Sequence, residues 1–185
     1  RNEFHRADLR ERPALDAAFI AQPIDAVVPF AGLKAVGESV EKPLLYSENN
    51  VGGSIALLEV MARHGVKRLV FSSSATVYGE PERLPLAEDH PLRPASPYGK
   101  TKLVIEHLLA DAAAADSGFT YAAPRYFNPI GAHPSGRIGE DPRGVPNNLL
   151  PYLTQVAAGR LQKLRVFGAD YPTADGSGVR AYLQV

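Results

Sequence analysis

Ser72-Ser73-Ser74-Ala75-Thr76-Val77-Tyr78-Gly79 closes the apolar run Arg68-Leu69-Val70-Phe71, and after 16 further residues Ser96-Pro97-Tyr98-Gly99-Lys100-Thr101-Lys102 opens a helix. A strand that ends in serines, followed by a helix carrying Tyr-x-x-x-Lys in its first turns, places a serine, a tyrosine and a lysine within reach of one substrate. That set suits an enzyme that moves a proton and a hydride. A Tyr-x-x-x-Lys spacing alone arises easily by chance, so its weight comes from the elements around it.

Those elements alternate. Pro13 to Gln22 reads as a short helix, and Asp25-Ala26-Val27-Val28-Pro29-Phe30 as an apolar run of strand length. Pro43 suits a first helical position, Ile55, Leu58 and Met61 follow at helical spacing, and Gly65 is a stop. Arg68 to Phe71 is a buried strand, and a helix runs from Pro97 through an alanine-rich tail to Ser117-Gly118. Tyr121 to Tyr126 is a further strand entering an Asn128-Pro129 turn. Continuous apolar strands between helices imply an α/β fold with a parallel sheet covered on both faces. Ligands of such sheets sit beyond the carboxyl ends of the strands, so the loops after Phe30, Phe71 and Tyr126 are expected to converge on one crevice. Each loop alone also reads as an ordinary turn, since Gly, Ser, Asn and Pro are common turn residues.

The helix from Pro97 has a definite face. At about 100° per residue, Tyr98, Lys102, Ile105, Leu108 and Leu109 share one stripe, with Lys100 and His107 opposite. A lysine on an apolar stripe can snorkel at its edge. The alternative is chemical: a phenol of pKa about 10 needs about 4 kcal/mol to ionise near neutrality, and an ammonium about 4 Å away at an effective dielectric of about 20 supplies roughly that. Tyr98 is therefore expected to have a lowered pKa and to act as a general base, with Ser74 holding the substrate hydroxyl in line.

Composition sets the outer limits. The chain has 185 residues, 45% hydrophobic, enough for a sizeable core. Twenty basic residues balance twenty acidic ones, which gives no field to attract nucleic acid or an anionic membrane. Cysteine is absent and the five histidines show no ligand-like pairing, so no metal site is expected, and a reducing, cytoplasmic setting fits. No apolar stretch is long enough to span a bilayer. The chain starts at Arg1, has its only methionine at Met61, and stops at Val185 inside the strand-like stretch from Val179. It is read as an internal piece of a longer protein.

The strings Phe30 to Ser39 (FAGLKAVGES), SSSATVYG, SPYGKTK, Arg125 to Gly136 (RYFNPIGAHPSG), Gly139 to Tyr152 (GEDPRGVPNNLLPY) and Val166 to Thr173 (VFGADYPT) cover most of the chain. In them the sequence resembles the UDP-glucose 4-epimerases of the extended short-chain dehydrogenase/reductase family. The resemblance implies a Rossmann-like doubly wound parallel sheet lacking its first β-α-β unit and most of the C-terminal substrate domain. Residues 1–128 would be a partial NAD-binding domain and 129–185 the start of the sugar-nucleotide region. It also implies NAD as cofactor, a UDP-sugar substrate, interconversion of UDP-glucose and UDP-galactose through a 4-keto sugar in galactose metabolism, and a homodimer paired through Pro43 to His64 and Pro97 to Ala115.

Position by position, the resemblance makes Tyr98 the base, Lys102 its partner that also holds the nicotinamide ribose, and Ser74 the hydroxyl-orienting residue. It assigns Asp8 and Leu9 to the adenine side of NAD, with Phe30, Ala31, Gly32, Leu33, Lys34, Asn49, Ser72 and Phe127 as further cofactor contacts. Asn128, Asn148, Leu149, Arg165, Val166, Phe167 and Arg180 fall at sugar-nucleotide positions, Arg180 being suited to a diphosphate. Nucleotide-sugar 4,6-dehydratases share the Tyr-x-x-x-Lys but typically carry Asp-Glu before Val-Tyr-Gly. Here those positions are Ala75 and Thr76, which argues against dehydration. A UDP-N-acetylhexosamine remains an alternative substrate.

The sequence also departs from the family pattern. No Gly-x-x-Gly-x-x-Gly occurs in these residues, so a second expectation is an inactive piece or degenerate relative that retains only its dimer-forming helices. Pro29 and Pro124 fall inside expected central strands, and Ala181 and Gln184 stand where the family usually has Asp and His.

Overall fold

The computed structural model describes residues 3–166 and 168–184. It divides into two compact units, Arg1–Tyr126 and Phe127–Val185.

In the first unit, α1 (Arg12–Ala21) carries a proline in its first turn, as the sequence suggests. The long helix expected from Pro43 is interrupted in its middle. After α2 (Val36–Glu41), α3 (Pro43–Tyr46) passes through a π-helical turn at Ser47–Gly52 into α4 (Gly53–Arg63). Gly65 ends α4 with φ +68°. Its N–H donates to the Ala62 carbonyl at 3.2 Å and that of Val66 to Met61 at 2.9 Å, the paired bonds of a Schellman cap.

Two parallel strand lines follow. β1 (Arg68–Val70) pairs with β3 (Thr120–Ala122), and β2 (Ser73–Ser74) with β4 (Arg125–Tyr126). The register is unchanged across the break, with Arg68 opposite Thr120 and Ser73 opposite Arg125. Pro124 lies in the break, where it has no N–H to donate, yet its carbonyl still accepts from Ser73 N–H at 3.0 Å. The strand expected at Asp25 to Phe30 is reduced to a single bridge, Val27 to Leu69. Pro29 stops its ladder, and Phe30 beyond it is 81% exposed.

The 19-residue α5 (Pro97–Ala115) returns across this sheet. Leu69 and Phe71 face Leu57, Val60 and Met61 of α4 and Ile105 and Leu109 of α5, and Leu15 of α1 completes the core cluster. The opposite side chains, Arg68, Val70, Thr120 and Ala122, are exposed. The expected two-sided cover is thus one-sided among the described residues.

The second unit contains β5 (Asn128–Ile130), α6 (Leu149–Ala157) and β6 (Tyr182–Gln184), with β5 and β6 parallel. Asn128 and Pro129, expected to form a turn, are strand residues opposite Tyr182 and Leu183. Arg165 and Val166 are irregular and exposed, and Phe167 lies outside the described residues.

Leu109 is fully buried between α4 and the sheet. Its replacement by alanine is expected to lower stability by about 2–5 kcal/mol, read as a lower urea midpoint with an unchanged slope.

Candidate active site

The serine turn is built by local hydrogen bonding. Ser74 is extended at φ −148°, ψ 145°, and its hydroxyl oxygen accepts from Thr76 N–H at 3.2 Å, capping a short 3₁₀ turn at Ala75–Val77. The Thr76 hydroxyl donates to the same oxygen at 3.0 Å. With its oxygen so occupied, Ser74 has its own proton to offer a neighbouring oxygen.

α5 is aimed at this turn by its start. The Ser96 hydroxyl accepts from Gly99 N–H at 3.1 Å and Pro97 occupies the first turn. Tyr98 N–H donates to the buried Ser39 hydroxyl of α2 at 3.2 Å. Gly99 is required by closeness: a Cβ there would lie 2.8 Å from the Thr76 carbonyl oxygen. The helix therefore seats directly on the serine turn, and the expected stripe forms. Ile105 and Leu109 are buried, Tyr98, Lys102 and Leu108 are half-buried, and Lys100 and His107 face solvent.

Tyr98, Lys102 and Ser74 come together as the spacing requires, but their ionisation differs from the expectation. The Lys102 ammonium donates to the Ser72 carbonyl at 2.7 Å, 4.8 Å from the Phe71 ring centroid and 5.8 Å from that of Tyr98. Burial lowers its pKa to about 8. Burial also raises the Tyr98 phenol above its usual value, with the Ser74 hydroxyl opposing. The expected lowering by Lys102 is overturned because removal from water favours the neutral form of both groups, and the ammonium is directed at a backbone carbonyl.

The loop Phe30, Ala31, Gly32, Leu33 and Lys34 is held by a residue the sequence reading passed over. Asn50, in the π-helical turn and 6% exposed, accepts from Leu33 N–H at 2.8 Å and donates to the Leu33 carbonyl at 2.9 Å. It also donates to the Thr101 hydroxyl of α5 at 3.3 Å. Asn49, the expected cofactor contact, is half-buried and donates to the Asn50 side-chain oxygen at 3.0 Å. Two adjacent asparagines before a glycine pair were the available signal, and nothing local distinguishes the inward one. Around this loop the side chains on offer are hydroxyls, amides and one lysine, with Ala31 and Gly32 exposed. That donor set fits the hydroxyl- and amide-rich nicotinamide ribose half of a dinucleotide.

The adenine-side residues are otherwise engaged. Both Asp8 carboxylate oxygens accept from the Arg10 guanidinium, at 2.9 and 2.8 Å, and these bonds lower its pKa to about 2. Leu9 packs partly buried against the core, where a Cβ on Gly53 would lie 3.2 Å from it.

In the second unit, Phe127 is half-buried and Asn128 donates through its side chain to the Ala181 carbonyl at 2.9 Å. Asn148 sits at the cap position of α6 without a capping bond and donates to Glu140 at 2.6 Å, with Leu149 as the first helical residue. Arg180 is exposed and donates to the neighbouring Val179 carbonyl at 3.3 Å. Among the described residues, no group of acidic, histidine or cysteine side chains has the geometry of a metal site, and no helix is long and apolar enough to cross a membrane.

The model of the NAD dependent epimerase/dehydratase family matches residues 1–185. UDP-glucose 4-epimerase 2 of Arabidopsis thaliana is 60% identical over the whole chain, which covers 53% of that relative. UDP-glucose 4-epimerase of Bacillus subtilis is 59% identical over 98% of the chain and 54% of its own length. The crystal structure of the Bifidobacterium longum UDP-glucose 4-epimerase in complex with NAD+ and UDP aligns with a TM-score of 0.93 and 50% identity, covering 96% of this chain and 53% of that one. The chain thus spans about half the length of the curated relatives it matches.

Replacing Asn50 with alanine strips both backbone groups of Leu33 of their partner and is expected to destabilise the chain by about 2 kcal/mol, measured by urea unfolding. NMR titration of ring-labelled tyrosine is expected to place the Tyr98 midpoint above that of a free tyrosine. A midpoint below it contradicts the dominance of burial at Tyr98.

Proposed function

The chain belongs to the NAD dependent epimerase/dehydratase family, and on that premise we propose that it carries the reactive corner of an enzyme interconverting UDP-glucose and UDP-galactose. The observation that carries this reading is the seating of α5 on the serine turn, which gathers Tyr98, Lys102 and Ser74 in one place. Its similarity to UDP-glucose 4-epimerases supports the choice of substrate.

In this reading Tyr98 takes the proton of the sugar 4-hydroxyl and later returns it. Ser74 donates its free proton to the same oxygen and fixes the direction of transfer. Lys102, braced on the Ser72 carbonyl, reaches the nicotinamide ribose with its remaining N–H groups. Bound NAD supplies a hydride acceptor and, when oxidised, a positive ring charge that favours the phenolate. That charge opposes the burial that otherwise keeps Tyr98 protonated.

The loop Phe30 to Lys34, Asn49 and Ser72 serve the nicotinamide side. Asp8 and Leu9 serve the adenine side, where the Asp8 carboxylate keeps acceptor capacity beyond its bonds to Arg10. Residues 1–128 act as a partial NAD-binding domain and 129–185 as the start of the sugar-nucleotide region. Phe127 extends the cofactor contacts, while Asn128, Asn148, Leu149, Arg165, Val166, Phe167 and Arg180 contact the nucleotide sugar. Val40 and Leu44, 63% and 83% exposed, with Val104 of α5, offer an apolar face for a homodimer. Galactose metabolism in the cytoplasm is the setting we propose.

A second reading has one observation in its favour. These 185 residues contain no Gly-x-x-Gly-x-x-Gly, so they do not themselves seat the NAD pyrophosphate. On this reading the chain alone does not turn over. Incubation with NAD and UDP-galactose separates the two: production of UDP-glucose supports the enzyme reading, and its absence together with absent NAD binding supports the second. Where turnover is found, Tyr98→Phe is expected to lower kcat by about 10²–10⁴-fold with little change in KM.

A further inference from the structure

α5 meets the serine turn at three successive turns of helix, and only two of them belong to the Tyr-x-x-x-Lys pair. Tyr98 meets Ser74 and Lys102 meets the Ser72 carbonyl. One turn further on, Glu106 is 8% exposed and accepts the hydroxyl proton of Ser73, itself 4% exposed. The guanidinium of Arg125, on β4, donates to the same carboxylate through Nε at 3.1 Å and Nη2 at 2.7 Å. Its remaining arm, Nη1, donates to the Tyr78 hydroxyl at 2.9 Å, and the guanidinium carbon lies 4.9 Å from the Tyr78 ring centroid. One ion pair therefore grips the serine turn at its beginning, Ser73, and at its end, Tyr78.

A buried carboxylate is an expensive way to fill space. Its desolvation cost is offset only when partners satisfy its lone pairs, and an apolar residue of similar volume is often as stabilising. A charge pair adds direction: a planar guanidinium matched to a carboxylate fixes both distance and angle. Here the fixed parts are the strand end that presents Ser72 and Ser74 and the helix that presents Tyr98 and Lys102.

We propose that Glu106, with Arg125 as its counter-ion, is a positioning residue that sets the approach of α5 to the serine turn and so holds Lys102 on the Ser72 carbonyl beside Tyr98. The inference rests on reading Tyr98, Lys102 and Ser74 as the reactive group. Its test needs neither NAD nor turnover, so a failure of the proposed activity leaves that test intact.

The test is the titration of Lys102 in the 185-residue chain, followed by NMR of the labelled lysine side chain and assigned by its loss in Lys102→Met. Ser73→Ala removes one hydroxyl and leaves the ion pair; Glu106→Gln removes the charge. If the contact positions α5, Ser73→Ala, which leaves every charge in place, loosens the seat and admits water to the ammonium. Its midpoint then rises from about 8 toward the ordinary lysine value, by about half a unit or more. A purely structural role lowers the urea midpoint and leaves the Lys102 titration in the folded chain where it was. That outcome, or a downward shift, in Ser73→Ala overturns the proposal. In Glu106→Gln the loss of a carboxylate one turn away lowers the midpoint by itself, so that variant reports stability through its urea midpoint and Ser73→Ala decides the direction of the Lys102 shift.

Discussion

The meeting of Tyr98, Lys102 and the serine turn depends on how closely the first turn of α5 approaches the backbone at Thr76. Gly99 permits a contact that any side chain would obstruct, since an added Cβ would stand 2.8 Å from the Thr76 carbonyl oxygen. Once the helix is that close, the polar groups trapped between it and the strand ends lose water and must find one another. Lys102 finds the Ser72 carbonyl, Glu106 finds Ser73 and Arg125, and Thr101 receives the Asn50 amide. Among the described residues no buried side-chain nitrogen or oxygen is left without a partner.

The same closeness sets the ionisation of the site. Burial raises the Tyr98 phenol and lowers the Lys102 ammonium to about 8, so both move toward neutrality. A simple Coulomb argument between the two charges predicts the opposite for Tyr98. It fails because it counts attraction and omits the desolvation that brings the charges together.

Much of this was legible in the sequence. The α5 stripe from Tyr98 to Leu109 follows from helical periodicity, and Pro43, Gly65, Ser96 and Pro97 mark helix ends where their backbone preferences require. Pro124 interrupts its strand as expected, and the register survives because only one donor is lost. Other features were not legible. The run Asp25 to Phe30 has the composition of a strand, but a strand exists only where a neighbour supplies hydrogen bonds, and here Val27 alone forms a bridge. Asn128-Pro129 has the composition of a turn and became a strand because β6 lies alongside it. Asn50 and Glu106 are ordinary surface residue types whose burial depends on groups far away in the chain.

By itself the sequence determined the helix starts marked by Pro13, Pro43 and Pro97, the face on which Tyr98 and Lys102 lie, and the residue types that resemble a sugar-nucleotide epimerase. These follow from periodicity, capping and turn preferences, which act over a few residues. Tertiary structure alone decided which asparagine faces inward, which glutamate becomes the buried partner of an arginine, and in which direction Tyr98 and Lys102 titrate. The reason is desolvation: its cost and its compensation are set by which distant groups meet when α5 closes on the serine turn, and no local pattern encodes that meeting.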